Sequence, residues 1–498
     1  MHLGTVISSD RSPNSSCFSF VIDGTARKGQ HVFVETDEGK MIGRIGDIIK
    51  TNRYFERAES VKEFERSGKP LSQIFPAERW EYLVADVQSL GVYSNGTLRK
   101  SAFPPSPGSK VFPADKEMLT KFFGFDSAKG LEMGVMEHHD LPVKLNLTRT
   151  MQKHMAILGI SGSGKSYFVA DLIEELVDRK PEHGQVAVVV IDTHGEYSPM
   201  AEDKAYAAKV NVIRGKDFRI GVPSLSADMV AALMRMSSVQ RRELQKLLNQ
   251  IREENRGKTY DLKTIIEKLE NGEIKQATKE ILQTLLYDLD STRLFGPFEN
   301  PSLDKLAKTG QATIIDISDM TELREKQMVV TFLAKRLFHA RMANAVPPFV
   351  FIVEEAHNFA PEGAKREAAI SRGIIEKIAR EGRKFHASLC LVSQRPIQLS
   401  TTALSQCNTH CILRVTNPYD LDHIGRSSEG LTADVLKTIS SLRVGEALIV
   451  GEAVNYPLFL RVRERRSKEG EKGRGLEEAA IEFSQRASQK AEDSKAFM

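Results

Sequence analysis

Gly159-Ile160-Ser161-Gly162-Ser163-Gly164-Lys165-Ser166 lies between a short apolar run, Met155–Leu158, and a helical pattern, Tyr167–Val177. A strand, a glycine-rich loop, Lys-Ser and then a helix is the setting that a phosphate-binding loop requires. The glycines let backbone N–H groups converge on phosphate oxygens, and the helix N-terminus adds a favourable dipole. Lys165 is expected to pair with the β- and γ-phosphates of ATP, and Ser166 to hold Mg²⁺. The candidate nucleotide contacts are thus Gly159, Ile160, Ser161, Gly162, Ser163, Gly164, Lys165, Ser166 and Tyr167.

Around this loop, long apolar runs alternate with helical segments. Val186–Ile191, Thr313–Ile317, Phe349–Val353, Leu389–Val392 and Cys411–Val415 read, with Met155–Leu158, as strands. Continuous apolar runs fit parallel strands buried on both faces. The expected fold is therefore α/β, a P-loop (RecA-like) ATPase core with a mainly parallel central sheet. Residues 149–223 and 296–465 are assigned to this core.

Residues 224–295 interrupt it with helical spacing: Leu244, Leu247, Leu248 and Ile251; Leu262, Ile265, Ile266 and Leu269; Ile281, Leu282, Leu285, Leu286 and Leu289. Such spacing without a strand predicts three amphipathic helices in an inserted bundle with these residues in its core. Residues 1–85 hold short strands, Phe18–Ile22, His31–Glu35 and Met41–Ile45, separated by Asp23-Gly24, Lys28-Gly29 and Asp37–Lys40. That pattern predicts a small antiparallel barrel serving assembly or docking. Residues 86–148 read as a connecting segment, and 466–498 as a charged tail.

Four constellations carry further chemistry. Phe349–Val353 ends in Glu354-Glu355. Glu354 is expected to orient Mg²⁺ through water, and Glu355 to polarise the attacking water as a general base. Leu391–Pro396 closes a neighbouring strand with Gln394, placed to report on the γ-phosphate. Ala379–His386 is basic, with Arg380 the first candidate and Arg383 the second for a finger reaching the ATP of a neighbouring subunit. Asp192 or Glu196, after a strand, reads either as a ligand-side carboxylate or as turn chemistry.

The 70 basic and 66 acidic residues leave a net charge of +4, too balanced to indicate nucleic acid by itself. Cys17, Cys390, Cys407 and Cys411 form no CxxC pair, which favours reduced thiols over a disulfide framework. No run of about 20 apolar residues and no apolar leader occur, so a cytoplasmic protein without a membrane span is expected.

The phosphate loop is joined by Ile191-Asp192-Thr193-His194-Gly195-Glu196-Tyr197, Val353-Glu354-Glu355-Ala356-His357-Asn358-Phe359 and Ala379–His386 running on to Ser393-Gln394-Arg395-Pro396. Together they resemble the archaeal HerA proteins of the HerA–FtsK class of DNA pumps, along essentially the whole chain. The resemblance implies a homo-hexamer with double-stranded DNA in a central channel and ATP between subunits. It also implies an N-terminal barrel that docks a NurA nuclease, and a C-terminal brace across a neighbour. Such proteins resect DNA ends for recombinational repair, alongside a double-strand-break repair nuclease complex. Lys165, Ser166, Glu354, Glu355, Arg380 and Gln394 carry over by position. Lys365, Arg366 and Arg372 are candidate phosphate contacts in the channel. The rival readings are a pump of the same class for protein or single-stranded DNA, a rotary-type ATPase subunit, and a DNA clamp that binds ATP only to assemble. No apolar span supports the first; the helical insertion opposes the second and Glu355 the third.

Overall fold

Phe18, Phe20, Val32, Val34, Ala85 and Val87 recur at every second position of three strands and fill one core. The computed structural model describes residues 2–8, 12–52, 62, 66, 81–94, 97–363, 369–428, 430–470, 477–478 and 480–485. The chain divides into two units: Met1–Lys165 with Cys407–Glu464, and Ser166–Gln406 with Arg465–Met498.

The first unit opens with an antiparallel barrel built from Gly4–Ile7, Cys17–Ile22, His31–Thr36, Gly39–Asn52, Glu81–Ser94 and Lys110–Pro113. Cys17–Ile22 pairs with both Gly4–Ile7 and Glu81–Ser94, and this closes the cylinder. Closure pairs the strands around the cylinder and protects their edges there. The long strand Gly39–Asn52 bends at register shifts between Ile42 and Gly43 and between Ile45 and Asp47. Gly43 is required there, since a Cβ would stand 2.4 Å from Val87 Cγ1. Lys110–Pro113, inside the stretch read as a connecting segment, pairs with Gly4–Thr5 on one side and Val32–Val34 on the other.

Histidines sit where the barrel meets the rest of this unit. The backbone N–H of His31 donates to His139 Nε2 at 3.0 Å, and the His31 ring meets Phe123 edge-on. Burial holds His31 well below the usual imidazole range, with His139, Arg44 and His138 adding to the effect. Burial, then His138, lowers His139 to about 4. A base with a depressed folded-state pKa favours unfolding once it is protonated. Its stability contribution is whole above about 6.5, the free imidazole value, and is lost as pH falls toward the folded value. Thermal melts should therefore show a fall in stability between pH 7.5 and pH 5, reduced in His139→Gln, which keeps an acceptor for His31 N–H. Equal acid sensitivity in the two proteins would refute this assignment.

The same unit carries Met155–Leu158 parallel to Thr409–Ile412. Antiparallel strands follow in space: Glu446–Gly451, Leu458–Val462, Leu131–Met136 and Leu141–Leu145. Thr409–Ile412 begins two residues before the expected Cys411–Val415.

The second unit holds a five-stranded parallel sheet in the order Val210–Arg214, Ala312–Asp316, Ala187–Asp192, Phe349–Val353, Ala387–Ser393. All residues of the inner strands Ala312–Asp316, Ala187–Asp192 and Phe349–Val353 are buried, as parallel strands with both faces covered must be. Helices Lys165–Val177, Leu323–Met342 and Arg372–Glu381 belong to this α/β layer.

Four helices form the insertion, one more than the three expected: Ala227–Leu233, too short to show a repeated apolar spacing, precedes Ser238–Glu254, Leu262–Glu270 and Gln276–Ser291. Ser237 and Gln240 form a capping box at the start of the second. Leu244, Leu248, Leu269, Leu286 and Leu289 are buried as expected, whereas Ile281 is 47% exposed and Leu285 half-buried. The last helix turns its 282/286/289 stripe inward, which places Ile281 beyond the edge of that stripe.

The root of the charged tail lies along its own chain. Arg466 pairs with Glu175 and Asp178, the N–H groups of Arg466 and Ser467 donate to Glu174, and Lys468 pairs with Glu202. Residues 471–476, 479 and 486–498, most of the proposed brace, lie outside the described residues. No helix among the described residues is long and apolar enough to cross a membrane.

Candidate functional site

The phosphate loop leaves Met155–Leu158 and is closed by its own bonds. Ile160 N–H donates to Arg414 O at 2.9 Å, and Ser163 Oγ donates to Ile160 O at 2.7 Å. Gly159 must lack a side chain, because a Cβ would lie 2.7 Å from Ser163 Oγ and 3.0 Å from Leu413 Cβ. Gly164 adopts φ +100°, a left-handed value that glycine takes without strain. Lys165 Nζ donates to Ile160 O at 2.9 Å, so the ammonium is held across the loop. Ser161 and Gly162 are exposed, Ser163 is buried, and Ser166 and Tyr167 are half-buried at the start of the helix. Tyr167 Oη accepts from Arg465 N–H, which ties the tail root to the residue after Ser166.

Within the second unit, three neighbouring parallel strands deliver their C-terminal ends to one edge: Asp192, Glu354-Glu355 and Ser393-Gln394. This edge of an open α/β sheet is where ligands bind. Glu354 is buried and fixed by three donors: Thr193 N–H and Thr193 Oγ1 to Oε2, both at 3.0 Å, and Tyr197 Oη to Oε1 at 3.1 Å. Burial first, then the negative charges of Asp192 and Glu196, push its pKa well above the carboxylate range. Burial and Glu354 keep the Tyr197 phenol protonated, so it remains a donor.

Asp192 serves the turn that follows it. Its carboxylate accepts from the N–H groups of Gly195 at 2.8 Å, Glu196 at 3.1 Å and Tyr197 at 2.9 Å. Of the two roles open to Asp192 in the sequence, turn chemistry is the one with geometry behind it. Glu196 is exposed.

Glu355 is the first residue past its strand and takes φ +48°, ψ +45°, a left-handed conformation that costs a side-chain-bearing residue on the order of 1–2 kcal/mol. Such an outlier is retained where the surroundings over-determine it. Its carboxylate is only 10% exposed, with Oε2 3.2 Å from His357 Nδ1 and Oε1 3.8 Å from the exposed His194 Nε2. His357 Nδ1 also lies 3.2 Å from Ser393 Oγ, and Ser393 Oγ accepts from Arg395 N–H at 3.1 Å. Gln394 itself is half-buried just beyond the strand.

Arg380 occupies the last turn of Arg372–Glu381, and Arg383 the short turn Gly382–Phe385; both are exposed. Arg372 is held in an ion pair, Nε donating to Glu376 Oε1 at 2.7 Å, and Ser400 Oγ donates to the same oxygen. Lys365 and Arg366 lie outside the described residues. The sequence alone assigns no role to Thr193, Tyr197, His357 or Ser393. Three of them belong to motif runs quoted for the resemblance, and Ser393 to the fourth, but no spacing rule tells which side chains there face a carboxylate.

Residues 131–337 match the family model described as "Helicase HerA, central domain". A probable helicase of Methanocaldococcus jannaschii is 29% identical over 475 residues, covering 89% of this chain and 88% of that protein. The DNA double-strand break repair helicase HerA of Pyrococcus furiosus is 27% identical over 534 residues and covers 94% of each chain. Among solved structures, VirB4 of Thermoanaerobacter pseudethanolicus superposes with a TM-score of 0.52 at 16% identity, over 69% of this chain and 98% of its own. That likeness concerns the fold. The family match over residues 131–337 and the near full-length relatives concern sequence: this chain is similar to HerA helicases along most of its length.

Proposed function

We propose that the protein is an ATP-driven translocase or helicase for double-stranded DNA, working as a hexamer with a NurA-type nuclease in end resection and recombinational repair. The observation that carries the ATPase part is the pair of strand-end glutamates. One is clamped by Thr193 and Tyr197; the next is turned out of its strand by a left-handed backbone and held beside His357. A solvated acidic turn would need neither the burial nor the strain. The DNA part is supported by relatives that are named as double-strand break repair helicases.

In this reading Lys165 and the loop N–H groups bind the phosphates, Glu355 accepts the proton of the attacking water, Gln394 contacts the γ-phosphate and Arg380 acts on a neighbour's ATP. Ser166 and Glu354 fit Mg²⁺. Both offer hard oxygen donors, and a dication would offset the charge that Asp192 and Glu196 impose on buried Glu354. With its oxygens already accepting three protein hydrogen bonds, Glu354 is suited to orient the ion's water rather than replace it. When bound, the ion supplies charge neutralisation on the phosphates. Lys365 and Arg366 are proposed DNA contacts; Arg372 is engaged with Glu376.

Steady-state ATPase rates with and without duplex DNA at low salt test the cargo. Duplex should raise the rate severalfold, and raising salt should abolish the increase, because phosphate contacts release counterions. A rate indifferent to duplex at low salt would remove DNA as the cargo.

A further inference from the structure

We propose that His357 is a positioning residue that couples Glu355 to the end of the strand bearing Gln394, through two mutually exclusive contacts of one ring nitrogen. The inference rests on Glu355 being the catalytic base, as proposed above.

His357 is buried, and Nδ1 stands 3.2 Å from Glu355 Oε2 and 3.2 Å from Ser393 Oγ. An imidazole nitrogen carries either one hydrogen or one lone pair. With a hydrogen, Nδ1 can donate to the carboxylate or to the hydroxyl, and the charged acceptor gives the stronger bond. Without one, Nδ1 accepts from Ser393 O–H and presents only a lone pair to Glu355, which releases the carboxylate. The two arrangements exclude each other, so the pair is bistable.

Ser393 is the right lever. It is the last residue of Ala387–Ser393, pairs through that strand with Phe349–Val353, and is fully buried. Its hydroxyl accepts from Arg395 N–H at 3.1 Å, so the backbone on both sides of Gln394 is tied to the atom that competes for His357. A shift of the Gln394 segment moves Ser393 Oγ and changes whether Nδ1 is available to Glu355. A contact at 3.2 Å is near the outer edge of hydrogen-bond distance, where a few tenths of an ångström decide between two partners. His357 thereby makes the readiness of the base depend on the segment that is expected to meet the γ-phosphate.

The test is ATPase kinetics of the full chain with five variants: His357→Ala, His357→Asn, Ser393→Ala, the His357→Ala/Ser393→Ala double and Glu355→Gln. His357→Ala leaves the carboxylate always released and Ser393→Ala leaves Nδ1 always available to it; because the coupling requires the cycle to pass through both arrangements, each should lower kcat about tenfold, the scale of one charge-assisted hydrogen bond, with KM changed less than about twofold. The double should be no worse than the poorer single, because both remove the same coupling. His357→Asn, whose amide nitrogen can donate to Glu355 but has no lone pair for Ser393 O–H, should keep the hold without the alternation and have a kcat as low as Ser393→Ala. An unchanged kcat in His357→Ala, or losses that multiply in the double, overturns the proposal. Where His357→Ala fails to fold, Ser393→Ala and His357→Asn decide it: parental kcat in Ser393→Ala overturns it as surely. Glu355→Gln separates the two levels. If it is inactive while His357 and Ser393 are dispensable, only the coupling fails; if it turns over like the parent, the assignment of the base fails as well.

Discussion

Glu355→Gln lowers ATP turnover by about 10²–10⁴-fold and leaves nucleotide binding intact. That range is what a positioned general base contributes. Glutamine keeps the length and shape of the side chain but offers no site for the water's proton. Lys165, Ser166 and the loop glycines are untouched, so a fluorescent ATP analogue should bind as it does to the parent. Lys165→Ala should behave oppositely and weaken binding, since its ammonium is the proposed phosphate contact. The backbone adds a second, independent readout. Glu355 has φ +48°, where a residue with a Cβ is strained and glycine is not. Glu355→Gly should therefore be about 1 kcal/mol more stable in urea titrations, yet inactive. Greater stability with lost turnover is the signature of strain kept for function. Turnover in Glu355→Gln within a few-fold of the parent would remove it as the base.

The readability of this chain follows the range over which its signals act. Met155–Leu158 and Phe349–Val353 coincide with their apolar runs, because a buried parallel strand needs every residue apolar and its bounding polar groups are abrupt. Lys110–Pro113 carries no local mark, because its four residues are a strand only by virtue of partners about 80 and 105 positions away. At the site, the sequence singles out Glu354 and Glu355 because a strand ending in two carboxylates is visible as text. Tyr197 and His357 were invisible as participants, since a tyrosine and a histidine near a turn fit many roles. Only the fold brings Tyr197 Oη to Glu354, 157 positions away, and Ser393 Oγ to His357, 36 away. Ile281 shows the same limit in a helix: spacing marks an apolar stripe, while the neighbouring helices fix how wide a stripe is covered.

Arg380→Ala should cost about 10³-fold or more in turnover, the scale of a missing arginine finger, with nucleotide binding preserved. The residue is exposed at the end of a helix whose opposite face buries Ile374, Ile375 and Ile378. That burial gives the guanidinium a rigid mount, and its exposure leaves it free to meet another molecule. If the finger acts in trans, Arg380→Ala and Glu355→Gln are defective in complementary halves of one interface. Co-assembly of the two inactive proteins then recreates intact interfaces wherever an Arg380→Ala subunit supplies Glu355 and its Glu355→Gln neighbour supplies Arg380. Random equal mixing makes about a quarter of head-to-tail interfaces of this kind, so activity should return to about that fraction if interfaces fire independently. A finger acting in cis gives no recovery at any ratio, because every subunit then lacks one of its own groups. Arg383→Ala in the same mixing experiment decides between the two arginines. If Arg383→Ala is inactive alone and complements Glu355→Gln, while Arg380→Ala retains turnover, the finger belongs to the turn Gly382–Phe385 rather than to the helix before it.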